Sequence, residues 1–122
     1  MAKSSDLAAL GLAPALAALL DFTPTAITGT GTNAGGAATC TGTLVNLTTA
    51  GSQTGLILPA VGVGLGALGR VIVVGVASAT TGIVYPPTGA TINGASSLNV
   101  AQNKTVAFYY YSPTIIFSIL TA

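Results

Sequence analysis

The side chains in this sequence that could carry acid–base or nucleophilic chemistry are few and badly spaced for it. Asp6 and Asp21 are its two acids, Cys40 its one thiol, and Lys3, Arg70 and Lys104 its three cations; there is no Glu and no His. A carboxylate pair can hydrolyse a glycosidic bond only when both groups flank that bond closely. Asp6 and Asp21 instead bracket an apolar run, and a helix between them would hold them roughly 22 Å apart. They are expected to act as a helix N-cap and a post-helix residue. Lys104 falls in the polar turn Ala101-Gln102-Asn103-Lys104, where it is expected to be solvated and not to activate a Ser or Thr.

Gly64-Leu65-Gly66-Ala67-Leu68-Gly69 matches the dinucleotide spacing G-x-G-x-x-G. That chemistry needs a helix directly after the last glycine and an acid about twenty positions on. Here a strand is expected next and no acid follows Asp21, so the segment reads as a Gly-rich loop between strands. One Cys, two Asp and no His are too few for a protein-made zinc site. Tyr109-Tyr110-Tyr111 alternate faces in a strand and so cannot form one continuous stacking platform. The sequons at Asn46 and Asn103 carry no weight in a Thr-rich chain. No catalytic residue, cofactor, metal or small-molecule substrate is expected, and the protein is read as a non-enzyme.

The elements that would position these residues speak more clearly. The 122 residues are 51% apolar and 4% charged, whereas a soluble domain is roughly a quarter charged. A dispersed monomer needs a charged surface. The exterior is therefore expected to be covered by other chains, which makes a homo-oligomer the simplest state. A net charge of +1 without a basic cluster argues against nucleic-acid binding.

Two regions differ in pattern. Residues 1–22 form a short apolar, partly helical N-terminal arm: Ser4-Ser5-Asp6 offer N-caps, and Leu7, Leu10, Leu12, Leu16, Leu19 and Leu20 make a stripe broken by Gly11 and Pro14. Asp6 sits where a secretory signal would be positive, and the fourteen residues between the aspartates fall short of the ~20 needed to span a bilayer. A second apolar stretch, Gly55 to Ala77, holds Arg70, Pro59 and several glycines, and alternates with period two from Val61 to Ala67. Membrane insertion is not expected.

Residues 23–122 read as an all-β body, a small antiparallel β-sandwich or barrel-like module. Strands are expected at Thr25–Thr28, Ala38–Leu47, Leu56–Leu58, Arg70–Val76, Gly82–Tyr85 before Pro86-Pro87, Thr105–Tyr111 and Thr114–Leu120. Asn93-Gly94 is a turn signal. In the last two strands both faces are apolar, as in a sheet covered on both sides. Phe108, Tyr110, Ile115 and Phe117 are expected to pack subunits together.

The order of these segments resembles a small β-module of tailed-bacteriophage virion structural proteins, found in head-decoration (cement), head-fibre and tail-associated chains. The resemblance spans residues 25–120. It runs through Ala26-Ile27-Thr28-Gly29-Thr30-Gly31-Thr32-Asn33, Leu47-Thr48-Thr49-Ala50, Gly55-Leu56-Ile57-Leu58-Pro59-Ala60 and Gly69-Arg70-Val71-Ile72-Val73-Val74. It continues in Tyr85-Pro86-Pro87-Thr88-Gly89-Ala90-Thr91-Ile92-Asn93-Gly94, its most specific stretch, and in Leu98 to Phe108. The chain departs from the pattern at Ser112-Pro113-Thr114-Ile115-Ile116-Phe117.

The resemblance implies a module, often trimeric, on the outer surface of a virus particle, and it carries over no catalytic residue. The expected function is capsid decoration: a homotrimer bound to the major capsid protein, with Leu7, Leu10, Leu16, Leu19 and Leu20 as the docking contacts. The alternative is a tail, neck or head-fibre component involved in host attachment.

Overall fold

The computed structural model describes residues 24–77 and 80–120. The expected arm, with Leu7, Leu10, Leu16, Leu19 and Leu20, lies outside the described residues. About half of the described residues lie in ten strands: β1 Pro24–Thr28, β2 Ala38–Thr39, β3 Leu44–Thr48, β4 Gly55–Ile57, β5 Val71–Val76, β6 Gly82–Tyr85, β7 Thr91–Ile92, β8 Leu98–Val100, β9 Lys104–Ser112 and β10 Ile115–Leu120, with short 3-10 turns at Ala34–Gly36 and Gly64–Gly66. An all-β fold is correct.

The expected antiparallel arrangement is not. The strands form a six-stranded sheet in the order β1-β3-β5-β9-β10-β7 and a four-stranded sheet in the order β2-β4-β6-β8. We call these sheet A and sheet B. β1, β3 and β5 run parallel in sheet A, and β2, β4 and β6 run parallel in sheet B. The chain therefore alternates between sheets and advances one strand per circuit, which makes three coils of a short β-roll. Parallel neighbours need a crossover connection, and here each crossover is a strand of the opposite sheet.

Register turns this winding into interior rows. Thr25, Val45 and Val74 lie side by side in sheet A, as do Ile27, Leu47 and Val76; Ala38, Leu56 and Val84 form the matching row in sheet B. These rows meet in one core between the sheets, with Leu47, Leu56, Val74 and Val84 fully buried. The final strands then reverse direction. β9 pairs antiparallel with β5 and with β10, and β8 pairs antiparallel with β6.

Local chemistry explains the corners. Ala38–Leu47, expected as one strand, is two: β2 belongs to sheet B and β3 to sheet A. The break falls at Cys40–Thr43, where Gly42 and small residues let the chain cross the roll. Asn93 and Gly94 both have positive φ, 51° and 83°, which is the type I′ geometry their sequence predicts. That turn is anchored to β10, since Ser118 N–H donates to Asn93 Oδ1 at 3.0 Å and Asn93 Nδ2 donates to Ser118 Oγ at 2.6 Å. Gly69 is followed by strand β5 and not by a helix, so the G-x-G-x-x-G segment lies in the connection from the second coil to the third.

Candidate functional site

Strand alternation decides which side chains of sheet A face the core and which face outward. On β9, Val106, Phe108 and Tyr110 point inward and are buried. Phe108 and Tyr110 were expected to join subunits, and this is corrected: their surface is already buried against their own chain. Both faces of β9 are apolar, so alternation alone could not say which was inner; two large aromatics fill the gap between the sheets. Tyr110 also fixes the loop after β4, its hydroxyl donating to the Pro59 carbonyl at 2.8 Å.

Ile115 and Phe117, the other two candidates, do lie on the outer face and are half-buried there. A register shift between Ile115 and Ile116 sends Ile116 into the core while its neighbours on either side face outward. Across the ladder, Phe117 faces Tyr109, with ring centroids 5.4 Å apart, and Tyr111 packs on the same ring at 5.5 Å. The outward aromatic cluster is therefore Tyr109, Tyr111 and Phe117. Reading β9 and β10 as one antiparallel pair, with Tyr109 opposite Phe117, is the signal that would have found it.

The cluster continues into a wider surface. Leu44 on β3, Val71 and Val73 on β5, Ala107 on β9 and Ile119 on β10 share its face by register. Tyr111 is 65% exposed, Ile119 62% and Leu44 38%. Between backbone positions the patch measures roughly 14 Å across four strands and a similar length along them. Arg70 and Lys104 are the two charged side chains among the described residues. Arg70 precedes Val71 while Lys104 pairs with Val76, so they stand at opposite ends of β5, about 20 Å apart. The apolar centre between them carries no charge.

Other sites are poorly equipped. Cys40 is buried and donates its thiol proton to the Gly42 carbonyl at 3.2 Å. Burial raises its pKa more than that bond lowers it, which keeps the thiol protonated and inert. Two open depressions of about 390 Å³ lie on sheet A, one where β3, β5 and β9 meet and one between β1 and β3. Lys104 is the one ionisable side chain in the first, and the second has none. Neither depression brings an acid and a base together. Among the described residues no cluster of His, Cys, Asp or Glu could hold a metal ion, and no helix is long and apolar enough to cross a membrane. The chain matches no protein-family model, no curated protein and no solved structure.

Proposed function

We propose that this protein is a bacteriophage virion structural protein, a capsid decoration protein that binds the assembled shell from outside and stabilises it. The observation that carries the reading is the uncharged apolar outer face of sheet A, from Leu44 to Ile119. Tyr111, Ile119 and Leu44 leave apolar surface open to water there, and such surface gains by being covered. The segment order resembling phage virion modules supports the same reading. In it, copies of the module associate as a homotrimer through this face. The trimer contacts the major capsid protein, and no catalysis, cofactor or nucleic acid takes part. Stabilisation follows from mass action, because a ligand that binds only the assembled state shifts the equilibrium toward it. Many symmetric copies add avidity.

The test is the ratio of this chain to the major capsid protein in purified particles of the phage that encodes it, measured by quantitative mass spectrometry. A ratio approaching one supports decoration across the shell. A few to some tens of copies per particle would reassign it to the neck, tail or a head fibre. Absence from the particle would overturn the virion reading altogether.

A further inference from the structure

Strand β7 is two residues long and pairs with β10 through Thr91 with Ile115 and Ile92 with Ile116. The chain then turns away at Asn93-Gly94, yet the seam with β10 runs on, because Asn93 continues it. Its N–H donates to the Ile116 carbonyl at 2.9 Å. In a parallel ladder its main-chain carbonyl would next accept from the Ser118 N–H. Its side-chain Oδ1 accepts that bond instead, while Nδ2 donates to the Ser118 hydroxyl. The Asn93 amide is thus a latch between β7 and β10.

The same amide is the one in this chain most open to attack by its own backbone. An asparagine side chain can close on the next peptide nitrogen. A bond forms between that nitrogen and Cγ, the Cγ–Nδ2 bond breaks, and ammonia leaves with the proton of the peptide N–H. Water then opens the five-membered imide at either carbonyl. The product is aspartate, or isoaspartate with one more methylene in the backbone. A side chain on the following residue shields the attacking nitrogen, and glycine has none. Asn33, Asn46, Asn99 and Asn103 precede Ala, Leu, Val and Lys; Asn93 alone precedes glycine. It is also exposed to water. The fold opposes the reaction, because attack on Cγ comes from above the amide plane and must turn that plane. Both bonds to Ser118 hold it, since hydrogen bonds at an amide lie near its plane.

We propose that Asn93 is a site of spontaneous deamidation held in check by Ser118, converting when β7 lifts from β10 and leaving that seam unable to close as before. Local openings of this kind lie at the low-energy end of native-state unfolding. The product has lost Nδ2, and in isoaspartate the lengthened backbone cannot repeat the pair of positive φ angles on which the type I′ turn rests. The step runs one way, so converted chains accumulate with age. This goes beyond the decoration reading and does not depend on it.

The test ages full-length protein in warm, mildly alkaline buffer, with and without guanidinium. Peptide mapping by mass spectrometry and labelling by an isoaspartate methyltransferase follow each asparagine. Folded wild type should convert Asn93 at least about tenfold more slowly than the unfolded chain. Ser118→Ala deletes the acceptor of the Nδ2 bond and should convert about fivefold faster than wild type when folded, and at the same rate when unfolded. Ser118→Thr keeps a hydroxyl and should restore the slow rate. Hydrogen exchange on the isoaspartate form, separated by ion exchange, should be faster at the Ser118 amide while Ile72 and Phe108 keep their protection. Equal rates for the folded and unfolded chain, or a folded Ser118→Ala no faster than wild type, would overturn the latch. Conversion chiefly at another asparagine would overturn the site.

Discussion

The hydroxyl of Tyr110 on β9 donates a 2.8 Å hydrogen bond to the carbonyl of Pro59, just after β4. One side chain thereby links the core strand of sheet A to the loop leaving sheet B. Tyr110→Phe keeps the ring and deletes the bond. The expected cost is about 1 kcal/mol, a fall of roughly 5 °C in Tm for a body of this size, with the sheet intact by circular dichroism. An unchanged Tm would mean that Pro59 finds an equivalent donor in water.

Stability should be insensitive to pH across the neutral range and fail on the alkaline side. There is no His or Glu, so few side chains change charge between about pH 5 and 8. Burial raises the Cys40 thiol from its ordinary value of 9.0. Burial first, and the neighbouring Cys40 second, raise the Tyr110 phenol from 10.0. In both, the folded state keeps a proton that the unfolded state releases, so the unfolded state binds fewer protons and stability falls as pH rises. The contribution is whole below pH 9.0, begins to be lost there through Cys40, and is lost further above pH 10.0 through Tyr110. Urea melts at pH 7, 9, 10 and 11 would show it. Tyr110→Phe should flatten only the part above pH 10.

Two glycines of the G-x-G-x-x-G segment should respond differently to alanine. Gly66 is buried and has an ordinary φ, yet a Cβ there would run into the Ala60 carbonyl and come within 3.0 Å of the Tyr110 ring. Gly64 has a φ of +53° with open space around it. Gly64→Ala should cost the left-handed penalty of about 1–2 kcal/mol. Gly66→Ala forces the backbone of 60–66 apart and should cost more, about 3 kcal/mol or beyond. Denaturation midpoints of the two variants would rank them, and the opposite order would contradict this placement of the loop.

The same residues show what sequence reveals and what it hides. Val71–Val76 is legible as a strand because β-branched residues alternate inward and outward, and Gly82–Tyr85 because Pro86 cannot continue the ladder. Asn93-Gly94 is legible because few residue pairs tolerate two positive φ angles. The roll is not legible. Its coils begin at Pro24, Leu44 and Val71, 20 and then 27 residues apart, so no fixed period marks them. Ile27, Leu47 and Val76 become neighbours only through parallel pairing, which leaves the same alternating pattern as antiparallel pairing. The candidate surface was half legible for a related reason. Both faces of β9 are apolar, so the sequence announces that both are covered without saying that Phe108 faces the core and Tyr109 faces out.

That outward face yields the most direct prediction about assembly. Tyr111 and Ile119 are well exposed and stand on neighbouring strands on either side of Phe117's face, so neither holds the core together. Ile119→Lys should change monomer stability by less than about 0.5 kcal/mol, as surface substitutions away from special features do, while Tyr111→Lys also loses its ring contact with Phe117 and should cost up to about 1 kcal/mol. Either would place an ammonium group in the middle of an interface with no acid among the described residues to receive it. Such a buried, unpaired charge costs several kcal/mol, enough to shift association by about a hundredfold or more. Sedimentation velocity of wild type and variants over a range of concentrations would read this directly. The wild type should sediment as an oligomer and both variants as monomers, with the Tm of the variants no longer rising with protein concentration. Variants that still assemble like the wild type would remove this face from the interface and leave its apolar character without a partner.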